Sequence, residues 1–168
     1  MKSFKQIVQS TRLIRSKKSD HGEYCMFVSG ELLLIFPKGT WGMRCVRNYI
    51  AAMESIFTEG QFKQFGGIIC LDRWNLGTPE VLELLSDYSQ KSRRRGSIGQ
   101  WLIAATRSDI ALQVADTRVV SDNELSHTAD DIEPAIADLH NKGLQFDRDD
   151  IRTLYLNREQ IWAISPTG

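Results

Sequence analysis

The chain has no excess charge of either sign: 21 Lys and Arg stand against 21 Asp and Glu. A balanced chain creates no general field for nucleic acid or anionic membrane, so neither is an expected partner and any binding site must be local. Long hydrophobic runs are also missing. The longest, such as Leu32 to Phe36, fall far short of the roughly 20 residues that cross a bilayer. Met1 to Ser10 lacks the apolar segment of an export signal. A cytoplasmic protein without membrane insertion is therefore expected. Cysteine is scarce, and Cys25, Cys45 and Cys70 are odd in number, widely spaced and outside any paired metal-ligand motif, which fits a reducing compartment. His21, His127 and His140 lie in different segments without ligand spacing, and no Ser, Cys or Asp stands in a recognised nucleophile motif. No metal, cofactor or catalytic residue is predicted. There is no internal repeat and no low-complexity segment.

What is present is ordinary globular material: 168 residues, 42% hydrophobic and 25% charged, enough for one domain with a real core. Charge is uneven along it. Residues 1–19 carry Lys2, Lys5, Arg12, Arg15, Lys17 and Lys18 with no acid, whereas residues 109–150 carry eleven acids against Arg118, Lys142 and Arg148. These are either two solvated surfaces or two that attract each other, within one chain or between copies.

Periodicity supplies the elements. Tyr24 to Val28 and Glu31 to Phe36 are β-prone runs separated by Ser29-Gly30, a two-residue hairpin signal. Pro37, Gly39 and Gly42 then break the chain before Val46, Tyr49, Ile50, Met53, Ile56 and Phe57, whose spacing defines one helical face ending at Glu59-Gly60. Gly66-Gly67 leads into an apolar strand from Ile68 to Leu71, and Thr78 caps a second helix with Pro79 at its first position and Val81, Leu84, Leu85 and Tyr88 as its stripe. Lys91, Arg93, Arg94 and Arg95 end that helix before Gly96, where cations complement the helix C-terminus.

Trp101 to Ala105 is the next strand, followed by a short helix from Asp109 to Asp116 capped by Ser108. Ile132, Ala135, Ile136 and Leu139 form another helical stripe that stops at Gly143, and the tail, where Ile151, Leu154, Tyr155, Ile161 and Trp162 follow helical spacing imperfectly, is read as helix with an edge strand over Thr153 to Leu156 as the alternative. The alternation predicts an α/β fold, a mainly parallel sheet with right-handed crossovers and an antiparallel hairpin at its start.

The most informative stretch is the polar loop from Asp72 through Trp74-Asn75-Leu76-Gly77-Thr78-Pro79-Glu80, at the carboxyl end of a central strand, where open α/β sheets present what they bind. Together with the hairpin, Gly39-Thr40-Trp41 before the first amphipathic helix and Leu71-Asp72 closing a strand, it resembles the SpoIIAA-like superfamily. That superfamily includes the sulphate-transporter and anti-sigma-antagonist (STAS) domains and related bacterial stand-alone proteins. The resemblance covers residues 22–143, leaving 1–21 as a basic leader and 144–168 as a C-terminal extension. It implies a non-enzymatic regulatory or protein-interaction module. Members that antagonise anti-sigma factors present a phosphorylatable hydroxyl where the helix after this strand begins, and Thr78 is the positional equivalent. The Asp-Ser-Ser sequence of those members is absent.

The candidate binding surface is thus Trp41, Asp72, Trp74, Asn75 and Thr78. Asp72 has two readings, a ligand for a cation or a partner's basic group, and a cap for the local backbone. Thr78 is either a phosphoacceptor or a plain N-cap. Trp41 and Trp74 either share a pocket or partner surface, or fold back onto the core. Cys45, flanked by Arg44 and Arg47, is the thiol expected to react fastest. A protein partner or self-association is the first functional expectation, a carrier of a small apolar ligand the alternative, and an enzyme the third. An apolar pocket favours the carrier, an exposed aromatic patch the interaction module, and converging titratable residues the enzyme.

Overall fold

A computed structural model of the chain describes residues 1–105 and 126–167. Among them, seven strands form a mixed sheet: β1 (Arg12–Arg15), β2 (Glu23–Ser29), β3 (Leu32–Trp41), β4 (Phe65–Cys70), β5 (Trp74–Gly77), β6 (Ser97–Ile103) and β7 (Ser126–Ala129). The order is β1-β2-β3-β4-β6-β7, with β5 beside the far end of β3. The β1–β2 and β2–β3 pairs are antiparallel and the remainder parallel. The α/β class, the starting hairpin and the parallel half are as the alternation predicts.

Because successive side chains of a strand point to opposite faces, the apolar run of β3 splits between two cores. Leu33 and Ile35 join Met26 and Leu102 beneath α2 (Met43–Gly60) and α3 (Pro79–Arg93). Leu32, Leu34 and Phe36 join Phe27, Ile68 and Ile103 on the other face, covered by α1 (Phe4–Ser10), α4 (Glu133–Asn141) and α5 (Arg148–Leu156). The sheet is covered on both sides, which is why β3 reads as continuously apolar. Val46, Met53, Leu85, Ile136 and Leu139 are buried, while Ile50 and Leu84 are half-buried at the margins of their stripes.

Four expectations are revised. Ser29 pairs with Leu32, so the hairpin loop is Gly30-Glu31, not Ser29-Gly30. Gly30 has φ +54°, and a Cβ there would sit 2.1 Å from the Gln145 carbonyl oxygen, so glycine is required at this first loop position. β3 does not stop at Pro37 but runs to Trp41. Counting the alternation from the loop, Pro37 lies opposite Tyr24 at a non-hydrogen-bonded pair, with its nitrogen turned to the side where β4 pairing has already ended at Ile35. The Trp74–Gly77 segment, read as loop, is the short strand β5, and Leu76 within it has φ +66°.

The fourth revision concerns the termini. Residues 1–21 and 144–168, read as a leader and an extension flanking the 22–143 domain, pack into the same unit: β1 pairs β2, and α1 lies on α5. Ile7, Ile151, Leu154 and Ile161 are buried in one core. Arg15 is 1% exposed, and its guanidinium donates to Glu23 Oε1 at 2.8 Å beneath the Trp162 ring. The basic leader and acidic third do meet within the chain, through Lys2 and Asp150 at 2.9 Å. Of the two readings of the tail the structure has the helix and not the edge strand over Thr153 to Leu156: α5 is followed by a 3-10 turn, Arg158–Ala163. The helix expected at Asp109 to Asp116 lies outside the described residues.

Candidate functional site

The two tryptophans of the expected surface come together, but inside. Trp41 at the end of β3 is 2% exposed and Trp74 at the start of β5 is 4% exposed. Their rings meet edge to face, with centroids 5.6 Å apart. Tyr24 and Tyr49 complete the cluster, 6.0 and 5.0 Å from Trp41. Trp41 donates from Nε1 to the Glu23 carbonyl at 3.1 Å. Trp74 Nε1, in contrast, is buried with no acceptor among the described residues, a cost of about 1–3 kcal/mol for a buried donor.

The expected polar members are placed elsewhere. Asp72 is neither a free ligand nor a cap of its own turn: Oδ1 accepts from the Ala105 amide at 3.1 Å and Oδ2 from Arg158 Nε at 2.9 Å. It ties the ends of β4 and β6 to the C-terminal segment, and the neighbouring Arg73 pairs with Glu159. Thr78 Oγ1 accepts from the Val81 amide at 3.4 Å, so it caps α3 as its sequence position suggests. Asn75 is exposed on β5. Of the five candidates, only Trp41 and Trp74 share a site.

That site is a cavity of about 100 Å³ between α2, α3 and the sheet. Leu33, Ile35 and Leu102 of the sheet, Tyr49 and Met53 of α2, and Leu85 and Tyr88 of α3 line it together with the two tryptophans. Its other end is polar, with Ser89, Ser92 and Arg93 from α3 facing Ser97 and Gln100 of β6. Positions 85, 88, 89, 92 and 93 form one helical stripe, so the wall supplied by α3 changes from apolar to polar along its axis. The gradient is a local signal, because the spacing that joins Val81, Leu85 and Tyr88 continues through Ser89, Ser92 and Arg93 in the sequence. Gly67 on the floor leaves room above itself, since the nearest atom to an added Cβ would be the Leu33 carbonyl oxygen at 4.0 Å.

Electrostatically the apolar end is neutral. Burial raises the phenol pKa values of Tyr49 and of Tyr88, and the Glu54 carboxylate beside Tyr88 adds to the second shift. Burial, and then the nearby Cys45 thiol, push Tyr24 up to about 12. Cys45 is buried rather than activated: burial first and Glu23 second push its thiol up to about 12, so the flanking arginines do not make it the reactive cysteine. Burial pushes Cys25 up to about 12 as well and raises Cys70. Among the described residues no three His, Cys, Asp or Glu side chains gather as metal ligands. Nor is any described helix long and apolar enough to cross a membrane.

No family model matches the chain, and no curated protein does. Among solved structures there is similarity to the Acinetobacter baumannii Cap4 SAVED/CARF-domain containing receptor, at 12% identity and a TM-score of 0.22. The match covers 92% of this chain and 37% of that one. A likeness so slight leaves the function to be argued from the residues.

Proposed function

We propose that the protein is a non-enzymatic, cytoplasmic binding module of SpoIIAA-like type whose α2–α3 cavity holds a small, largely apolar molecule. The observation that favours this over an aromatic partner surface is the inward position of Trp41 and Trp74. Both line the cavity, and Met1 and Leu156 are the large hydrophobics exposed among the described residues. The unpaired Trp74 Nε1 supplies a donor for a ligand acceptor beside the apolar part of the wall, and Tyr88 Oη and Ser92 Oγ are further buried polar atoms without a partner among the described residues, the few-polar-groups pattern of small-molecule sites. At about 100 Å³ the cavity lies below the roughly 300–1,000 Å³ of drug-sized pockets, so a single ring or short chain is the occupant. Trp74 stands on β5, so the ligand touches the strand-end segment that the SpoIIAA-like resemblance makes the working surface.

The test uses toluene and acetophenone as probes, one apolar and one with a carbonyl acceptor. Calorimetry should show saturable binding of both, tighter for acetophenone. Gly67→Leu should fill the space above the floor and abolish binding while the denaturation midpoint holds or rises. Undiminished binding by Gly67→Leu, or none by the native protein, refutes the cavity as a site.

A further inference from the structure

Resting on the cavity reading, we infer that the ligand is a small amphipathic carboxylate, its ring or chain among the aromatic side chains and its anionic head at Arg93. The inference begins with the cations near the end of α3. Arg95 pairs with Glu54 at 2.8 Å, and Lys91 approaches the same carboxylate at 3.8 Å. Arg93 is the cation that lines the cavity, and it has no acidic partner among the described residues.

Arg93 is half-buried at the polar end, beside Ser89, Ser92 and Gln100. A guanidinium at the rim of an apolar cavity is poorly screened, so it interacts with an anion more strongly than it would in open water. Its planar fork matches a carboxylate bidentately, and the serine and glutamine side chains supply neutral donors around it. At the other end the wall offers the neutral phenol of Tyr49, uncharged at ordinary pH and kept so more firmly by burial, which raises its pKa. A neutral apolar ligand would leave Arg93 unanswered. A dianion would exceed the single cation that the described residues place on the wall. The geometry therefore selects one negative charge attached to one ring or short chain. Complementing the negative end of α3 is the other role open to Arg93, and Lys91, Arg94 and Arg95 already surround that end.

Phenylacetate and its neutral isostere phenylacetamide separate these roles, because both keep the ring and a carbonyl acceptor. Phenylacetate should bind the native protein about tenfold more tightly or better, since hydrogen bonds to a charged partner are about twice as strong as neutral ones. Raising the salt concentration should narrow that gap. Arg93→Gln should largely erase it by weakening phenylacetate far more than phenylacetamide, with the thermal midpoint unchanged. If toluene and phenylacetamide bind, and Gly67→Leu abolishes both, but phenylacetate is not preferred, the anionic class is wrong and the cavity stands. If Arg93→Gln leaves the preference intact, the head is held elsewhere and the assignment to Arg93 falls. If none of the probes binds the native protein, cavity and anion fall together.

Discussion

Replacing each cavity tryptophan with phenylalanine makes a matched comparison, because both rings are buried in one cluster and only one has its indole nitrogen satisfied. Each substitution removes similar apolar area, so most of the packing loss cancels in the difference. Trp41→Phe also forfeits the 3.1 Å bond to the Glu23 carbonyl, worth about 1 kcal/mol net. Trp74→Phe removes a buried donor with no acceptor, relieving a desolvation cost of about 1–3 kcal/mol. Trp41→Phe should therefore be less stable than Trp74→Phe by about 2–4 kcal/mol, with the latter near the native midpoint or above it. Urea unfolding followed by far-ultraviolet circular dichroism measures both, provided the m values agree. Equal destabilisation would show that Trp74 Nε1 has a partner, and would remove the donor assigned to the ligand.

Two further outcomes follow from the same contacts. Thr78→Ala should cost about 1 kcal/mol in urea unfolding, the usual worth of an N-cap. No change would mean that the 3.4 Å bond to Val81 is not holding the helix start. For acid, burial pushes the Asp138 pKa up, but the Trp101 indole N–H at 2.8 Å and Lys142 at 3.1 Å outweigh it and hold the carboxyl below its ordinary value. Its folded pKa thus lies under its unfolded one, so its stabilisation is complete above the unfolded value of about 4 and is lost as pH falls through the folded value. Asp138→Asn should flatten the fall in unfolding free energy across that window, and an unchanged acid profile would refute the assignment.

How much of this protein its sequence determines depends on the distance over which each signal acts. The amphipathic stripes of α2, α3 and α4 and the apolar runs within β2, β3, β4 and β6 are local patterns, written in the spacing of residues such as Val46, Met53, Leu85 and Leu139. The start of α3 is equally local, because Thr78, Pro79 and the Val81 amide lie within one turn. Trp41 and Trp74 could be paired from sequence as residues at two strand ends, but whether they faced solvent or core depended on β5 pairing with the end of β3, a contact joining Gly39 to Trp74. Asp72 was ambiguous for the same reason: its partner, Arg158, is 86 residues away. Likewise β1 and Arg15 read as a basic leader until β2 and the C-terminal segment enclose them. The cavity is the most tertiary feature, since Tyr49, Gly67, Trp74 and Arg93 come from four elements. Nothing in the spacing within any one of them specifies that two helices, laid across a sheet with a glycine on its floor, leave space between them.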